Sequence, residues 1–118
     1  MSKIILYSYL RCSTCRKASI WLDKKNFSYS LIDIVKEPPS RQFLALALKQ
    51  FSNEKRKIFN TRGKNFKLID FDILNASNDE IIQLLQADGK LIKRPFLVFG
   101  ERKIILGFNE NEYSNIFL

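Results

Sequence analysis

Histidine is absent from this chain of 118 residues, and cysteine occurs only twice, as Cys12 and Cys15. Without histidine, a cysteine nucleophile has no imidazole to activate it, so Cys-His catalysis is excluded. Structural zinc sites normally use four cysteine or histidine ligands, and two cysteines alone do not supply them. An intrachain zinc site of cysteine and histidine is therefore excluded as well.

Long apolar runs are also missing. No hydrophobic stretch approaches the roughly 18 residues that a membrane-spanning helix needs. Met1-Ser2-Lys3 leads directly into the first predicted strand, without the pattern of a secretory signal. Since 46% of the residues are hydrophobic, we expect one domain with its own core. A closely spaced cysteine pair in such a chain indicates a reducing, cytoplasmic location where the thiols cycle between oxidation states.

Acidic side chains are fewer than basic ones, 12 against 20, which gives a formal net charge of +8. A charge of this size favours an anionic partner or substrate through long-range attraction. The basic residues are dispersed, and no nucleic-acid-binding motif accompanies them. We therefore expect no direct binding of nucleic acid and no membrane association. The basic surface is expected to be solvated or to meet an acidic protein.

The two cysteines lie where a strand pattern changes to a helix pattern. Residues 4–7, Ile-Ile-Leu-Tyr, have the length and composition of a short buried strand. From Ser13 onward the spacing changes to three and four residues, which is typical of one face of a helix. The members of that face are Cys15, Ala18, Trp21, Leu22 and Lys25. The sequence thus predicts a helix that begins beside Cys12.

Cys12 is the better candidate for a nucleophile of the two cysteines. A helix N-terminus presents unpaired N–H groups and partial positive charge, and Arg11, Arg16 and Lys17 add cations that favour a thiolate. Cys15, one turn inside the helix, is expected to be more buried and to act as a resolving thiol. Three other interpretations stay open: a structural disulfide, two inert buried thiols, and half of a zinc site. A disulfide across so short a loop would stabilise the fold little.

The rest of the sequence predicts three more strands. Residues 29–35 alternate as a second strand, which is parallel to the first because a helix connects the two. Residues 96–99 and 102–106 form the third and fourth strands. The tight turn at Gly100-Glu101 makes these two an antiparallel hairpin.

The middle of the chain and its last residues are predicted to be helical. Ser40 caps one helix, and Ser77 with Glu80 forms a capping box for another. Gly89 is predicted to end that second helix in the left-handed conformation that glycine tolerates. Asn109 caps a final helix.

These elements and several motifs resemble the ArsC/Spx family, a branch of the thioredoxin-like fold. The resemblance implies an α/β thioredoxin-like domain, with a four-stranded mixed sheet and a helical insertion between its βαβ and ββα halves. It implies a single domain over 1–118, with the thioredoxin-like core at 1–36 and 93–118 and the insertion at 37–92. In chain order, the motifs are Cys12-Ser13-Thr14-Cys15-Arg16-Lys17-Ala18, Ile32-Asp33-Ile34, Glu37-Pro38-Pro39, Phe59-Asn60-Thr61-Arg62-Gly63-Lys64, Asp88-Gly89, Leu91, Lys93-Arg94-Pro95 and Gly107-Phe108-Asn109-Glu110.

The resemblance also implies roles for particular residues. Cys12 corresponds to the attacking thiolate, Cys15 to its disulfide partner, Pro95 to the family's cis-proline, and Arg94 to an arginine that faces the thiolate. A guanidinium suits that role because it is permanently charged and offers a planar fork of donors. A solvated Arg94 at a simple strand entry remains the alternative. The supporting residues in these motifs are Ser13, Thr14, Arg16 and Arg62.

Two functions follow from the resemblance. One is an arsenate reductase-like thiol–disulfide oxidoreductase with no bound cofactor, restored by glutathione, glutaredoxin or thioredoxin. Arsenate reductases of this fold use three arginines; Arg94 is retained, but the other two positions fall on or beside Asn60, with Arg62 nearby, and on Gly107-Phe108. Efficient arsenate reduction is therefore not expected.

The alternative function is a redox-sensing transcriptional regulator of the Spx and MgsR type. Such regulators share the paired cysteines, a segment like Thr61-Arg62-Gly63-Lys64 and an ending like Gly107-Phe108-Asn109-Glu110. They bind the C-terminal domain of the RNA polymerase α subunit, which makes that domain a candidate partner of this chain.

Overall fold

The computed structural model describes residues 2–118, which form a four-stranded sheet with helices on both faces. The sheet order is β2-β1-β3-β4, with β1 parallel to β2 and antiparallel to β3, and β3 antiparallel to β4. This is the mixed sheet predicted from the sequence. The strands are β1 (Ile4–Ser8), β2 (Ser30–Asp33), β3 (Phe96–Phe99) and β4 (Lys103–Leu106).

The helices fall into two groups. One group lies between β2 and β3 and includes two short 3-10 helices, while the other flanks it in the chain. Among residues 2–118, no helix has the length and hydropathy that crossing a membrane requires. In chain order, the helices are α1 (Ser13–Lys24), α2 (Arg41–Gln50), the 3-10 helix Lys55–Ile58, α3 (Lys64–Leu68), α4 (Asn78–Ala87), the 3-10 helix Gly89–Leu91 and α5 (Glu110–Phe117).

Alternate strand residues enter two hydrophobic layers on opposite faces of the sheet. On one face, Leu6, Leu97 and Ile105 are paired in register and pack with Trp21 of α1 and Tyr113 of α5. This layer holds α1 against the central strands. It therefore fixes where the N-terminus of α1 lies relative to the end of β1.

The opposite face of the sheet is covered by the segment between β2 and β3. Ile5, Val98 and Ile104 form a second row in register and pack with Leu44 of α2 and Leu85 of α4. The helices of the insertion thus supply one whole side of the hydrophobic core.

The local signals for helix caps and for the hairpin are confirmed. Ser40 Oγ accepts a hydrogen bond from the Phe43 N–H at 3.3 Å, and Ser77 with Glu80 forms the full capping box. Asn109 Oδ1 accepts from the Glu112 N–H at 2.9 Å. At the hairpin turn, Gly100 and Glu101 have φ values of 62° and 58°, which suit the right-handed twist of the flanking strands.

Several element boundaries differ from the prediction; β4, for example, begins at Lys103 rather than at residue 102. The second strand spans 30–33 rather than 29–35, because the backbone turns after Asp33, where the Glu37 N–H donates to the Asp33 carbonyl at 2.9 Å. Lys25, predicted on the buried helix face, is instead the residue that follows α1, and it is exposed. Its ammonium group stays hydrated at the surface, as is usual for lysine.

The prediction that Gly89 ends α4 in a left-handed conformation is wrong. Asp88 ends that helix in an extended conformation, and Gly89 begins a 3-10 helix without a positive φ. The glycine is needed for space, because a Cβ added there would lie 2.0 Å from the Ile34 carbonyl oxygen. Gly89 therefore lets the insertion approach the chain just after β2.

We expect Gly89→Ala to lower the free energy of unfolding by about 3 kcal/mol, because backbone must move to admit the methyl group. Gly63→Ala is the matched control. Its Cβ would meet the Asn60 side-chain Nδ2 at 2.6 Å, and that side chain can rotate away. The control should lose less than about 1 kcal/mol in urea unfolding. Equal losses of stability in the two variants would show that the close approach of Gly89 to Ile34 does not determine the cost of the methyl group.

Candidate active site

Cys12 is the N-cap residue of α1. The chain leaves β1 at Ser8 and turns, with the Cys12 N–H donating to the Tyr9 carbonyl at 3.0 Å. The Cys12 Sγ then accepts a hydrogen bond from the Cys15 N–H at 3.2 Å. Serine, threonine or aspartate usually fills this capping role with an oxygen. Here a half-buried sulfur fills it, so negative charge on that sulfur would lie at the positive end of the helix.

Cys15 lies one turn inside α1 and is buried. Burial raises the pKa of its thiol to about 12, and the hydrogen bond with Cys12 adds to the increase. Cys12 and Cys15 approach each other to 2.6 Å, and both are free cysteines. Cys15 is therefore a protonated thiol at neutral pH and stands next to the more accessible sulfur, as the sequence predicted.

The loop that enters β3 lies beside the end of β1, because Tyr7 pairs with Phe96 across the two strands. The Arg94–Pro95 peptide bond is cis, as the resemblance implied. Arg94 is half-buried, and its guanidinium carbon lies 4.9 Å from the centroid of the Tyr9 ring. A guanidinium is thus held against the loop that leads to Cys12, in a cation–π arrangement.

The other predicted residues are placed as follows. Ser13 and Thr14 form the first turn of α1, which contains no acidic residue that would oppose negative charge on Cys12. Arg16 is exposed, and its Nη1 donates to the Leu10 carbonyl at 2.9 Å, so it ties the loop to the helix. Arg62 is exposed in the turn before α3, within the insertion and away from the cysteine loop in the chain.

Sequence reasoning assigned no role to three residues at this end of the sheet. Tyr9 provides the ring beneath Arg94, and the Lys93 Cε lies 3.3 Å from the place a Cβ on Gly107 would occupy. Tyr113 of α5 is buried, and its pKa is raised by burial and by nearby Glu112 and Cys15. Tyr9 could have been noticed next to the cysteine motif. Lys93 adjoins Arg94 in a motif that the sequence already indicated, whereas no local signal connects Tyr113 to the site.

Comparison with known proteins agrees with this geometry. The sequence profile of the ArsC family matches residues 7–116. The chain belongs to the ArsC family. The family membership indicated by the sequence motifs is therefore confirmed.

Individual relatives of this ArsC-family chain carry different names. The uncharacterised protein YusI of Bacillus subtilis is 35% identical over 113 residues, covering 94% of this chain and 95% of YusI. The global transcriptional regulator Spx of Streptococcus mutans is 31% identical over 109 residues, covering 92% of this chain and 79% of Spx.

A solved structure is similar over the whole chain. A crystal structure described as a possible arsenate reductase from Streptococcus mutans has a TM-score of 0.88 and 35% identity, covering 99% of this chain and 100% of that one. This similarity confirms the predicted thioredoxin-like α/β fold.

We expect iodoacetamide at neutral pH to label Cys12 in the native protein and to leave Cys15 unlabelled. In Cys12→Ser, labelling of Cys15 should be at least about 100-fold slower than labelling of Cys12 in the wild type, because Cys15 is buried and its pKa is raised. Burial is the largest cause of the raised pKa of Cys15 and persists in the variant, so Cys15 should react faster only as the pH rises well above neutrality. Mass spectrometry of the intact protein measures both rates.

The same labelling in guanidinium chloride is the control, because unfolding removes the burial of Cys15. There both cysteines should react at similar rates. Rapid native labelling of Cys15 in Cys12→Ser would contradict the assignment of Cys15 as a protonated partner.

Proposed function

We propose that this chain is a thiol–disulfide oxidoreductase of a reducing, cytoplasmic compartment, with Cys12 as the attacking thiolate and Cys15 as the resolving thiol. The observation that supports it best is the arrangement of the pair. Cys12 is the accessible N-cap of α1, and Cys15 is buried and approaches it to 2.6 Å. One sulfur is thus open to a substrate, and the other is open chiefly to its neighbour.

The reaction proceeds by two thiol–disulfide exchanges. The Cys12 thiolate attacks one sulfur of a disulfide and forms a mixed disulfide, while the other sulfur leaves as a thiolate. Cys15 then loses its proton and attacks the Cys12 sulfur, which releases the second substrate thiolate. The substrate disulfide gains two electrons and takes up two protons, and the enzyme is left with a Cys12–Cys15 disulfide. Glutathione, glutaredoxin or thioredoxin restores the dithiol.

Arg94 and the N-terminus of α1 would support the departing thiolates. Arg94 is half-buried with its guanidinium against the Tyr9 ring, so water screens it less than the exposed cations nearby. Donors that are already in place where negative charge develops need little reorganisation during the reaction. We therefore assign Arg94 the role of stabilising thiolate in both exchanges.

Efficient arsenate reduction does not fit the residues at two further positions. The Asn60 Nδ2 donates to the Lys90 carbonyl at 3.3 Å, and Gly107 has no side chain. An arsenate oxyanion would thus lack about two charge-assisted hydrogen bonds, each worth roughly 1.5 to 3 kcal/mol. If both act in the transition state, the loss amounts to about two to four orders of magnitude in rate.

The test is reduction of bis(2-hydroxyethyl) disulfide with glutathione as the final reductant. Cys12→Ser should lower the rate at least about 100-fold, because the nucleophile is lost. Cys15→Ser should accumulate a mixed disulfide on Cys12, visible by intact-protein mass. Arsenate, assayed with glutaredoxin, should be turned over at least about 100-fold more slowly than by an arginine-rich arsenate reductase. Equal disulfide rates for wild type and Cys12→Ser would rule the proposal out.

A second candidate function is favoured by the 31% identity with the transcriptional regulator Spx. In this alternative, oxidation of Cys12 and Cys15 changes α1, and the chain binds the C-terminal domain of the RNA polymerase α subunit. Arg62 and Lys64 are exposed at the start of α3 and would meet an acidic partner.

We expect a regulator of this kind to retain the polymerase domain in a pull-down, with different yields in the oxidised and reduced states. Reversing the charge in Arg62→Glu/Lys64→Glu should lower retention at least about tenfold, because two attractive contacts become repulsive. Lys24→Glu/Lys25→Glu, which changes the charge equally on another exposed surface, is the control. Absence of binding in both redox states would leave only the oxidoreductase.

A further inference from the structure

The two edge strands of the sheet differ in whether their outer backbone groups are covered. At the β4 edge, the Gln50 side chain of α2 covers the backbone of Ile104: its Oε1 accepts from the Ile104 N–H at 2.7 Å and its Nε2 donates to the Ile104 carbonyl at 3.0 Å. At the other edge, β2 has β1 as its only neighbour in the sheet order. An edge strand can pair with an added segment, so the difference has consequences for binding.

Part of the β2 backbone faces away from β1. Consecutive residues of a strand direct their N–H and carbonyl groups to opposite sides. The Ile34 N–H donates to the Ser8 carbonyl of β1 at 2.8 Å, so residues of the same parity point toward β1. The backbone N–H and carbonyl of Leu31 and the N–H of Asp33 therefore point toward the open edge. These groups can pair with an extended chain.

An apolar groove of about 470 Å³ runs between this edge and α1. Three of the most exposed large hydrophobic side chains line it: Leu10, Ile20 and Leu31, exposed by 87%, 52% and 62%. Leu31 shares its sheet face with Leu6, which packs against α1. An added strand would direct alternate side chains into this groove.

One end of the groove is lined by residues from the segment that carries Cys12, and that end has positive charge. Leu10 and Arg16 both line it, and they lie just before and just after Cys12 in the chain. Arg11 and Lys17 are exposed beside them. Asp33 is the one acidic residue in the groove wall. Its Oδ1 accepts from the N–H groups of Val35 at 2.8 Å and Lys36 at 3.1 Å, so its carboxylate stabilises the turn that follows β2.

These features favour a peptide segment over a second copy of the chain. A stable protein dimer buries about 1,200 to 2,000 Å² in total, far more than three exposed side chains and one short strand edge offer. A second copy would also bring a net charge of +8 against an equal charge. An extended segment with apolar and acidic residues fits both the edge and the charge.

We propose that the β2 edge binds an extended, apolar and acidic segment of a protein whose disulfide this chain reduces. The segment adds to the sheet as a strand, places an apolar side chain between Ile20 and Leu31, and directs acidic residues toward Arg11 and Arg16. Its disulfide is thereby presented to Cys12. The inference rests on the proposed oxidoreductase function, and it makes protein disulfides the preferred substrate class.

The test compares a peptide disulfide with a small disulfide. The peptide has about ten residues, alternates valine with threonine, and carries two glutamates and one cysteine at one end, the cysteine as a mixed disulfide with 2-mercaptoethanol; it is made in both residue orders. We expect Ile20→Ser/Leu31→Ser to lower kcat/KM for the better peptide at least about tenfold, because apolar contact is lost. The rate with bis(2-hydroxyethyl) disulfide should stay within about twofold.

The matched control is Leu68→Ser/Leu74→Ser, which removes two leucines that are also exposed, by 73% and 86%, from the insertion. It should change neither rate by more than about twofold, since neither leucine lies at the groove. N-methylation of one alternate set of peptide amides should also lower its kcat/KM about tenfold, because those amides pair with β2. Methylation of the other set should have little effect.

A peptide with serine in place of cysteine separates docking from chemistry. Added to the wild type, this peptide should shift the backbone amide resonances of Leu31 and Asp33. Added to the Ile20→Ser/Leu31→Ser variant, it should leave the Asp33 amide resonance unchanged. If both disulfides are reduced but the groove variant affects them equally and no shift appears, the docking surface is overturned and the oxidoreductase stands. If neither disulfide is reduced, the proposed function falls, and the shifts alone decide whether the edge binds peptides.

Discussion

The hydrogen bond from the Cys15 N–H to the Cys12 Sγ is the interaction on which the candidate site depends. It makes one sulfur both the cap of α1 and the accessible member of the pair. The bond exists only if α1 begins at the right place, and the packing of Trp21 with Tyr113 on one face of the sheet holds the helix there. A structural role and a chemical role therefore meet in a single contact.

The site is assembled from the two ends of the chain, and the insertion supports it from a distance. Pairing of β1 with β3 brings Arg94 over Tyr9, and the Gly107 N–H donates to the Pro95 carbonyl at 2.9 Å, which joins the end of β4 to the same loop. The insertion packs on the far face and approaches the chain after β2 at Gly89.

The features that were predictable from sequence are those decided by neighbouring residues. A cap such as Ser77 with Glu80 satisfies backbone groups within one turn, so its signal lies within four residues, and the change of spacing at Ser13 located α1 in the same way. The role of Gly89 was wrongly predicted as a left-handed helix end, because the residue that it closely approaches, Ile34, lies far away in the chain. Contacts of that kind are set by tertiary packing and leave no local pattern.

The site residues also divide into those predictable from local sequence and those set by tertiary packing. The capping cysteine and its buried partner follow from a helix beginning at Ser13, whereas the stacking of Arg94 on Tyr9 depends on the pairing of strands far apart in sequence. The resemblance to a family supplied Arg94 as a candidate, but it did not supply the ring that holds it. The open edge at β2 was also not predictable from local sequence, because the order of strands in a sheet leaves no signal within one strand.

Positive charge at this end of the sheet comes in two forms, and the difference bears on which chemistry the site suits. Arg94 is half-buried and held against a ring, while Arg11 and Lys17 are exposed on long side chains that water screens. Binding of a tetrahedral oxyanion requires several donors fixed at set angles. A leaving thiolate is a single charged atom, and in the proposed mechanism Arg94 and the N-terminus of α1 stabilise it. The arrangement of charge therefore favours disulfide exchange over oxyanion reduction.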